Sequence, residues 1–147
     1  MAGEPAEIEE WSSESKRLSR ALLEGMGVDP NLLEAAPSSA IQRIDKEILQ
    51  ISFDEMSQEE RERIHVYCMT FLAEVLMRLH GGRWSYVNDP SSPLAGRYVI
   101  VGMARAAGDY SGPVDVAQVA YEVLSGKQPS FVDMLNRAEV EADLRAF

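Results

Sequence analysis

SQEERERIHVYCMTFLAEVLMRLHGGRWSYV, residues 57–87, decides how the rest of the chain is read. Ser57 followed three residues later by Glu60 is a capping box, in which the hydroxyl accepts from the amide near Glu60 while the glutamate reaches back. A helix therefore begins at Gln58. Ile64, Cys68, Phe71, Leu72, Val75 and Leu79 recur at helical spacing and share one face, widened by Met69 and Leu76. Gly81-Gly82 allows the left-handed exit that ends such a helix. The next residues, Arg83 to Val87, carry two aromatics and alternate in type, which favours a short strand over more helix. A central helix feeding directly into a strand makes the expected fold class α+β.

Downstream, Asn88-Asp89-Pro90 breaks the strand. Arg97 to Met103, with Tyr98, Val99, Ile100 and Val101 consecutive and glycines at 96 and 102, reads as a second, more deeply buried strand that pairs with the first as an antiparallel hairpin. Pro113 and Asp115 then mark a helix start, with Val116, Val119, Ala120 and Val123 as its inner face and Gly126 as its stop. Ser130 and Asp133 form a second cap, for a last helix through Leu135 and Ala138. The charged end from Glu139 is expected to fray.

Upstream, Ile41, Ile44, Ile48 and Ile51 mark the buried stripe of a helix capped by Ser38 or Ser39. Asp29-Pro30 opens a short turn through Leu32 and Leu33 that Pro37 ends. Trp11, Leu18 and Leu22, with Lys16, Arg17 and Arg20 between them, describe an amphipathic helix from Ser12 or Ser13 to the glycines at 25 and 27. Residues 1–11 are rich in Glu, Ala, Gly and Pro, too poor in apolar groups to repay the entropy of ordering, and read as a disordered acidic arm. Residues 12–147 are then one domain of about five helices beside a short antiparallel hairpin.

The formal net charge is -10 over 147 residues, and Glu4, Glu7, Glu9, Glu10 and Glu14 all precede the first basic residue, Lys16. About half of the excess thus sits in a segment suited to promoting solubility, and the body is only mildly acidic. Such a balance disfavours nucleic acid, whose affinity comes from Lys and Arg displacing counterions. The longest apolar stretch, Cys68 to Leu79, is interrupted by Thr70, Glu74 and Arg78, so no membrane span is expected. The first residues lack the basic start and apolar block of a secretory signal, and the lone Cys68 suits a reducing compartment; the expected location is cytoplasmic.

His65 and Cys68 lie three apart on one helix, but zinc needs three or four ligands, and the other histidine, His80, is more than ~20 Å along the same helix at the standard rise. No metal is expected. Cys68 sits within the apolar stripe, where burial leaves a thiol inert. Tyr67, Thr70, Glu74 and Arg78 share a second stripe, and Glu74 with Arg78 has the favourable order for an ion pair, so this stripe is expected to be a solvated face or the lip of a groove. Phosphate-binding and nucleophile-elbow glycine patterns are absent, and neither catalytic residue nor cofactor is assigned. The candidate interaction surface comprises Glu74, Arg78, Arg83, Trp84, Tyr86, Asn88 and Tyr110, with Tyr86, Asn88 and Tyr110 as the first patch to probe. For Trp84, just past a helix end, a core plug is the alternative.

FLAEVLMRLHGGRWSYV (71–87), a hydrophobic strand, and then PVDVAQVAYEVLSG (113–126) together resemble a group of small uncharacterised bacterial proteins. Their shared pattern is an L-G-E-V helix, a Gly-Gly-x-Trp exit, a short sheet and a Val-Asp-Pro-Phe-like helix start. The resemblance spans Ile41 to Leu135; Ala73 stands at the usual glycine, and Val116-Ala117 replaces Pro-Phe. It implies a helix, sheet and helix core, and for some members an immunity or accessory role beside toxins. The function expected is therefore a non-enzymatic protein-binding or accessory protein. The alternative is a small-molecule-binding protein or small enzyme with its site between the 83–103 hairpin and the 58–80 helix. A homodimer in which the Trp11 helix packs between chains is also compatible with the pattern.

Overall fold

The computed structural model describes residues 5–48, 50, 52–126 and 128–144. Six helices, α1 (Pro5–Gly25), α2 (Leu32–Ala35), α3 (Pro37–Ile48), α4 (Gln58–His80), α5 (Val116–Leu124) and α6 (Phe131–Glu141), accompany two strands, β1 (Arg83–Tyr86) and β2 (Tyr98–Val101), with a 3₁₀ turn at Phe53–Glu55. The class is α+β, as the sequence implies.

α4 is the axis of the molecule. Every residue from Cys68 to Leu76 is buried, so this stretch has no solvated side at all. α1 lies along one flank, α5 along another, and α3, α6 and α2 close the rest. Phe71 of α4 meets Phe131 of α6 edge-on, with ring centroids 5.0 Å apart, at the centre of an apolar cluster running from Leu22 to Leu144. The cap at Ser57 forms as its spacing predicts: the hydroxyl accepts from the Glu60 amide at 3.2 Å. Glu60 answers through the Ser57 hydroxyl, at 3.1 Å.

The helix leaves through Gly81 and Gly82, whose φ values of 76° and 101° lie where only glycine is comfortable. β1 and β2 then pair antiparallel in the register Arg83↔Val101 to Tyr86↔Tyr98. The far side of β2 bonds to Val114, Ile100 N donating to Val114 O at 3.1 Å and Val114 N returning to Ile100 O at 2.9 Å. This carries the chain to Asp115, whose carboxylate caps α5 by accepting from the Gln118 amide at 3.1 Å.

α6 is capped from two directions. Ser130 accepts from the Asp133 amide at 3.3 Å, and Asp45 of α3 accepts from the Phe131 amide at 2.6 Å and from the Ser130 hydroxyl at 3.0 Å. Asp45→Ala removes both long-range bonds, and a loss of about 2 kcal/mol is expected, at the upper end for a helix cap. Urea unfolding is the check; a loss below about 0.5 kcal/mol means the local serine cap suffices.

Three expectations need correction. Residues 5–11 belong to α1 and are not a disordered arm, because Trp11 is held by Trp84 and Tyr98 from the hairpin; residues 1–4 lie outside the described residues. Pro37 opens α3 instead of only ending the turn before it, since a first-turn position needs no N–H. The end does not fray at Glu139: α6 runs to Glu141, Leu144 is buried, and Ala106 N donates to Asp143 O at 2.8 Å. Ile51, the last member of the isoleucine stripe, lies outside the described residues, while Ile41, Ile44 and Ile48 are buried. No helix among the described residues is long and apolar enough to cross a membrane.

Candidate functional site

The seven residues singled out in the sequence are not gathered into one surface. Glu74 is only 1% exposed. Its carboxylate accepts from the Ser15 hydroxyl at 2.7 Å and from Arg78 Nη1 at 2.8 Å, beneath α1. The helical-phase reading of a solvated stripe is therefore wrong: Thr70 and Glu74 do share a face of α4, but α1 covers it with Ser15 and Ser19, both fully buried. Arg78 emerges at the edge of that seam and also faces Glu34 of α2, at 3.6 Å.

Trp84 is a core plug at 4% exposure. Tyr86 is half-buried, its ring 5.1 Å from that of Tyr98, and Asn88 is exposed just beyond it. Arg83 is exposed at the other end of β1. Tyr110 is 74% exposed but pairs with Ala104, six residues past Tyr98 along the ribbon, up to roughly 20 Å away at the rise of extended chain. The patch of Tyr86, Asn88 and Tyr110 is thus not assembled.

A concave surface does form nearby, where the first half of α4, the start of β2 and α5 meet. His65, Met69, Arg97, Tyr98, Ala117, Gln118 and Tyr121 line a groove of about 390 Å³. Its geometry follows from local rules. Val116, Val119, Ala120 and Val123 turn one face of α5 inward, which leaves Ala117 and Tyr121 turned toward α4. His65 Nε2 lies 2.7 Å from the Ala117 carbonyl oxygen, and since a carbonyl only accepts, that nitrogen carries hydrogen. The bond locks the imidazole edge-on to Tyr121, centroids 5.8 Å apart, and Phe53 also meets Tyr121 edge-on, at 6.4 Å.

The polar groups around the groove are engaged with one another. Arg97 forms an ion pair with Asp115, and the Gln118 amide donates to Glu122 at 3.0 Å. Tyr98 forms one wall while Trp11 stacks on its ring at 4.7 Å. Burial first, then the charges of Glu7, Tyr86 and Glu10, raise its phenol above the ordinary value. What the groove offers is apolar and aromatic surface with a fixed shape, suited to holding a ring or branched side chain.

Cys68 lies apart from this surface, inside α4's core face, where burial pushes the thiol up to about 12 and leaves almost no thiolate near neutral pH. Among the described residues no group of three or more His, Cys, Asp or Glu side chains is placed to hold a metal. In the sequence Tyr121 and Gln118 draw no notice, Met69 and Arg97 are read only as parts of a helix face and a strand, and His65 is considered beside Cys68 and not as part of a groove. The available signal was Tyr121 itself, a large aromatic off the apolar stripe of its helix and 52% exposed. Comparison with known proteins finds no matching family model, no matching curated protein and no matching solved structure.

Proposed function

We propose that the chain is a non-enzymatic binding protein, of the immunity or regulatory kind, that seats an apolar or aromatic side chain of a partner protein in the groove between α4, β2 and α5. The observation that carries this reading is Tyr121: more than half exposed, yet braced by His65 and Phe53, it is a rigid aromatic anchor beside a concavity. The neighbouring cation and imidazole are already committed to Asp115 and to Ala117, which suits recognition by shape better than proton transfer.

A second reading, a small-molecule site, is favoured by one observation: the lining sets a few polar groups, His65, Arg97 and Gln118, around the apolar and aromatic wall of Met69, Tyr98, Ala117 and Tyr121. The groove touches the hairpin and the 58–80 helix but is completed by α5, and none of Glu74, Arg78, Arg83 or Tyr86 lines it.

Tyr121→Ser separates the outcomes. In affinity purification from the native cell, wild-type bait recovers a stoichiometric protein, and the variant, losing about 2 kcal/mol or roughly thirtyfold in affinity, does not. Recovery by both baits places the interface elsewhere, and recovery of nothing stoichiometric counts against protein binding. A metabolite screen by thermal shift tests the second reading, since a ligand at 100 times its dissociation constant adds about 2.7 kcal/mol. A shift abolished by Tyr121→Ser transfers the groove to that ligand.

A further inference from the structure

We propose that the first four turns of α1 form a releasable strap, which lifts from α4 as one unit while the rest of the fold stays closed. α1 is held along α4 and at the start of β1, and its two halves are held differently. Leu22 and Leu23 are anchored in the main apolar cluster. Upstream of them Leu18 is buried outside that cluster and the rest of the seam is largely polar: Ser15 donates to Glu74, Ser19 donates to the Ser15 carbonyl at 2.8 Å, and Thr70 on the facing helix turns its hydroxyl back to its own backbone. Hydroxyls and a carboxylate stand where methyl groups would bind the two helices more firmly.

The outer end of the seam is weakened in a second way. Trp11 packs edge-on to Trp84, centroids 5.3 Å apart, and among the described residues neither buried indole N–H meets an acceptor. Each such donor loses its water on closure and regains it on opening. The cation that ties α1 to α2 is partly exposed and adds little: Arg20 lies 3.7 Å from Glu34 and 3.2 Å from the Asn31 oxygen. The seam therefore closes by one buried hydrogen bond to Glu74, the single leucine Leu18 and the packing of Trp11 on the hairpin, next to a core that closes by continuous apolar packing. A segment so held opens at lower free energy than the body it rests on.

Release bares Trp84, Thr70 and the Glu74–Arg78 pair, and frees one face of Tyr98. Because Tyr98 is also a groove wall, release reshapes the groove; that consequence rests on the binding reading, whereas release itself does not.

Native-state hydrogen exchange on the full chain tests release alone. The amides from Trp11 to Ser19 are expected to share one protection factor, at least about tenfold below that of Phe71 to Leu76, with a step near Leu22. Ser15→Ala is expected to lower that shared value a further tenfold or so and leave α5 and α6 unchanged. Protection rising gradually from Glu7 inward means ordinary fraying and overturns the proposal, as does protection equal to that of α4. Trp11→Phe leaves Trp84 as the only tryptophan and supplies a second readout. Acrylamide quenching of Trp84 should rise at urea concentrations below the far-UV transition, and coincidence of the two transitions overturns the strap.

Discussion

Gly82→Ala is expected to cost about 2–5 kcal/mol in unfolding free energy, and to do so through a single added methyl group. Two effects add. At φ 101° an L side chain is strained wherever it is placed, by roughly 1–2 kcal/mol. The new Cβ would also lie 2.7 Å from Met103 Cγ and 2.9 Å from the Val101 carbonyl oxygen. Met103 is fully buried and cannot swing aside, and Val101 is held in β2 by its pairing with Arg83. Relieving the contact therefore moves the hairpin off the end of α4, an overpacking cost of about 1–3 kcal/mol. Gly81→Ala is the control. Its φ of 76° brings strain, but nothing lies within 4 Å of its Cβ, so it should cost only the first part. Equal losses for the two variants in urea unfolding would show that the close approach of strand and helix exit is not what requires glycine.

Glu74→Ala is expected to cost about 2–3 kcal/mol. Removing the carboxylate strands the fully buried Ser15 hydroxyl and leaves Arg78 with the backbone carbonyl of residue 74 and the exposed Glu34. Breaking a fully buried pair costs about 3–5 kcal/mol, and the figure is reduced here because Arg78 reaches solvent. Most of the loss is recovered with a different replacement. Glu74→Met combined with Ser15→Ala refills the volume and removes the stranded hydroxyl, and should return to within about 1 kcal/mol of the parent. If the double variant is as weak as Glu74→Ala, the seam is held by the ion pair with Arg78, and the bond to Ser15 is incidental. Chemical denaturation of the single and double variants measures both terms and their coupling.

Signals that act within a few residues were legible in the sequence. The caps at Ser57, Asp115 and Ser130, the isoleucine stripe of α3, the glycine exit from α4 and the β-branched run of β2 all act over one or two turns, and each marks an element that forms. The misplacements have a common cause in partners distant along the chain. Pro5 to Glu10 carry almost no apolar signal and are helical because Trp11 docks on the hairpin more than seventy residues away. The phase of Tyr67, Thr70, Glu74 and Arg78 was readable, but whether that face meets water depends on α1, which periodicity within α4 cannot reveal. Asp45 looks like an ordinary polar position of an amphipathic helix, yet it caps α6 from 86 residues away. The groove was displaced for the same reason. Tyr121 acquires a role only when α5 is laid against His65, and neither segment names the other.

The burial of α4 on every side bears on how the chain reaches its fold. Ser15 and Glu74 are 59 positions apart, and so are His80 and Glu139, so the axis is closed from both directions by equally remote segments. For a mostly helical protein such contacts are unusually non-local, and loop closure must precede their reward, which slows folding relative to bundles whose neighbours are adjacent in sequence. Cutting the chain in the turn between β1 and β2 would leave α4 in the first piece, covered by α1, α2 and α3 but bare where α5 and α6 of the second piece pack. The second piece has no helix of its own to replace α4, so the complete core should return only on mixing, as a fragment complementation in which α4 is the template.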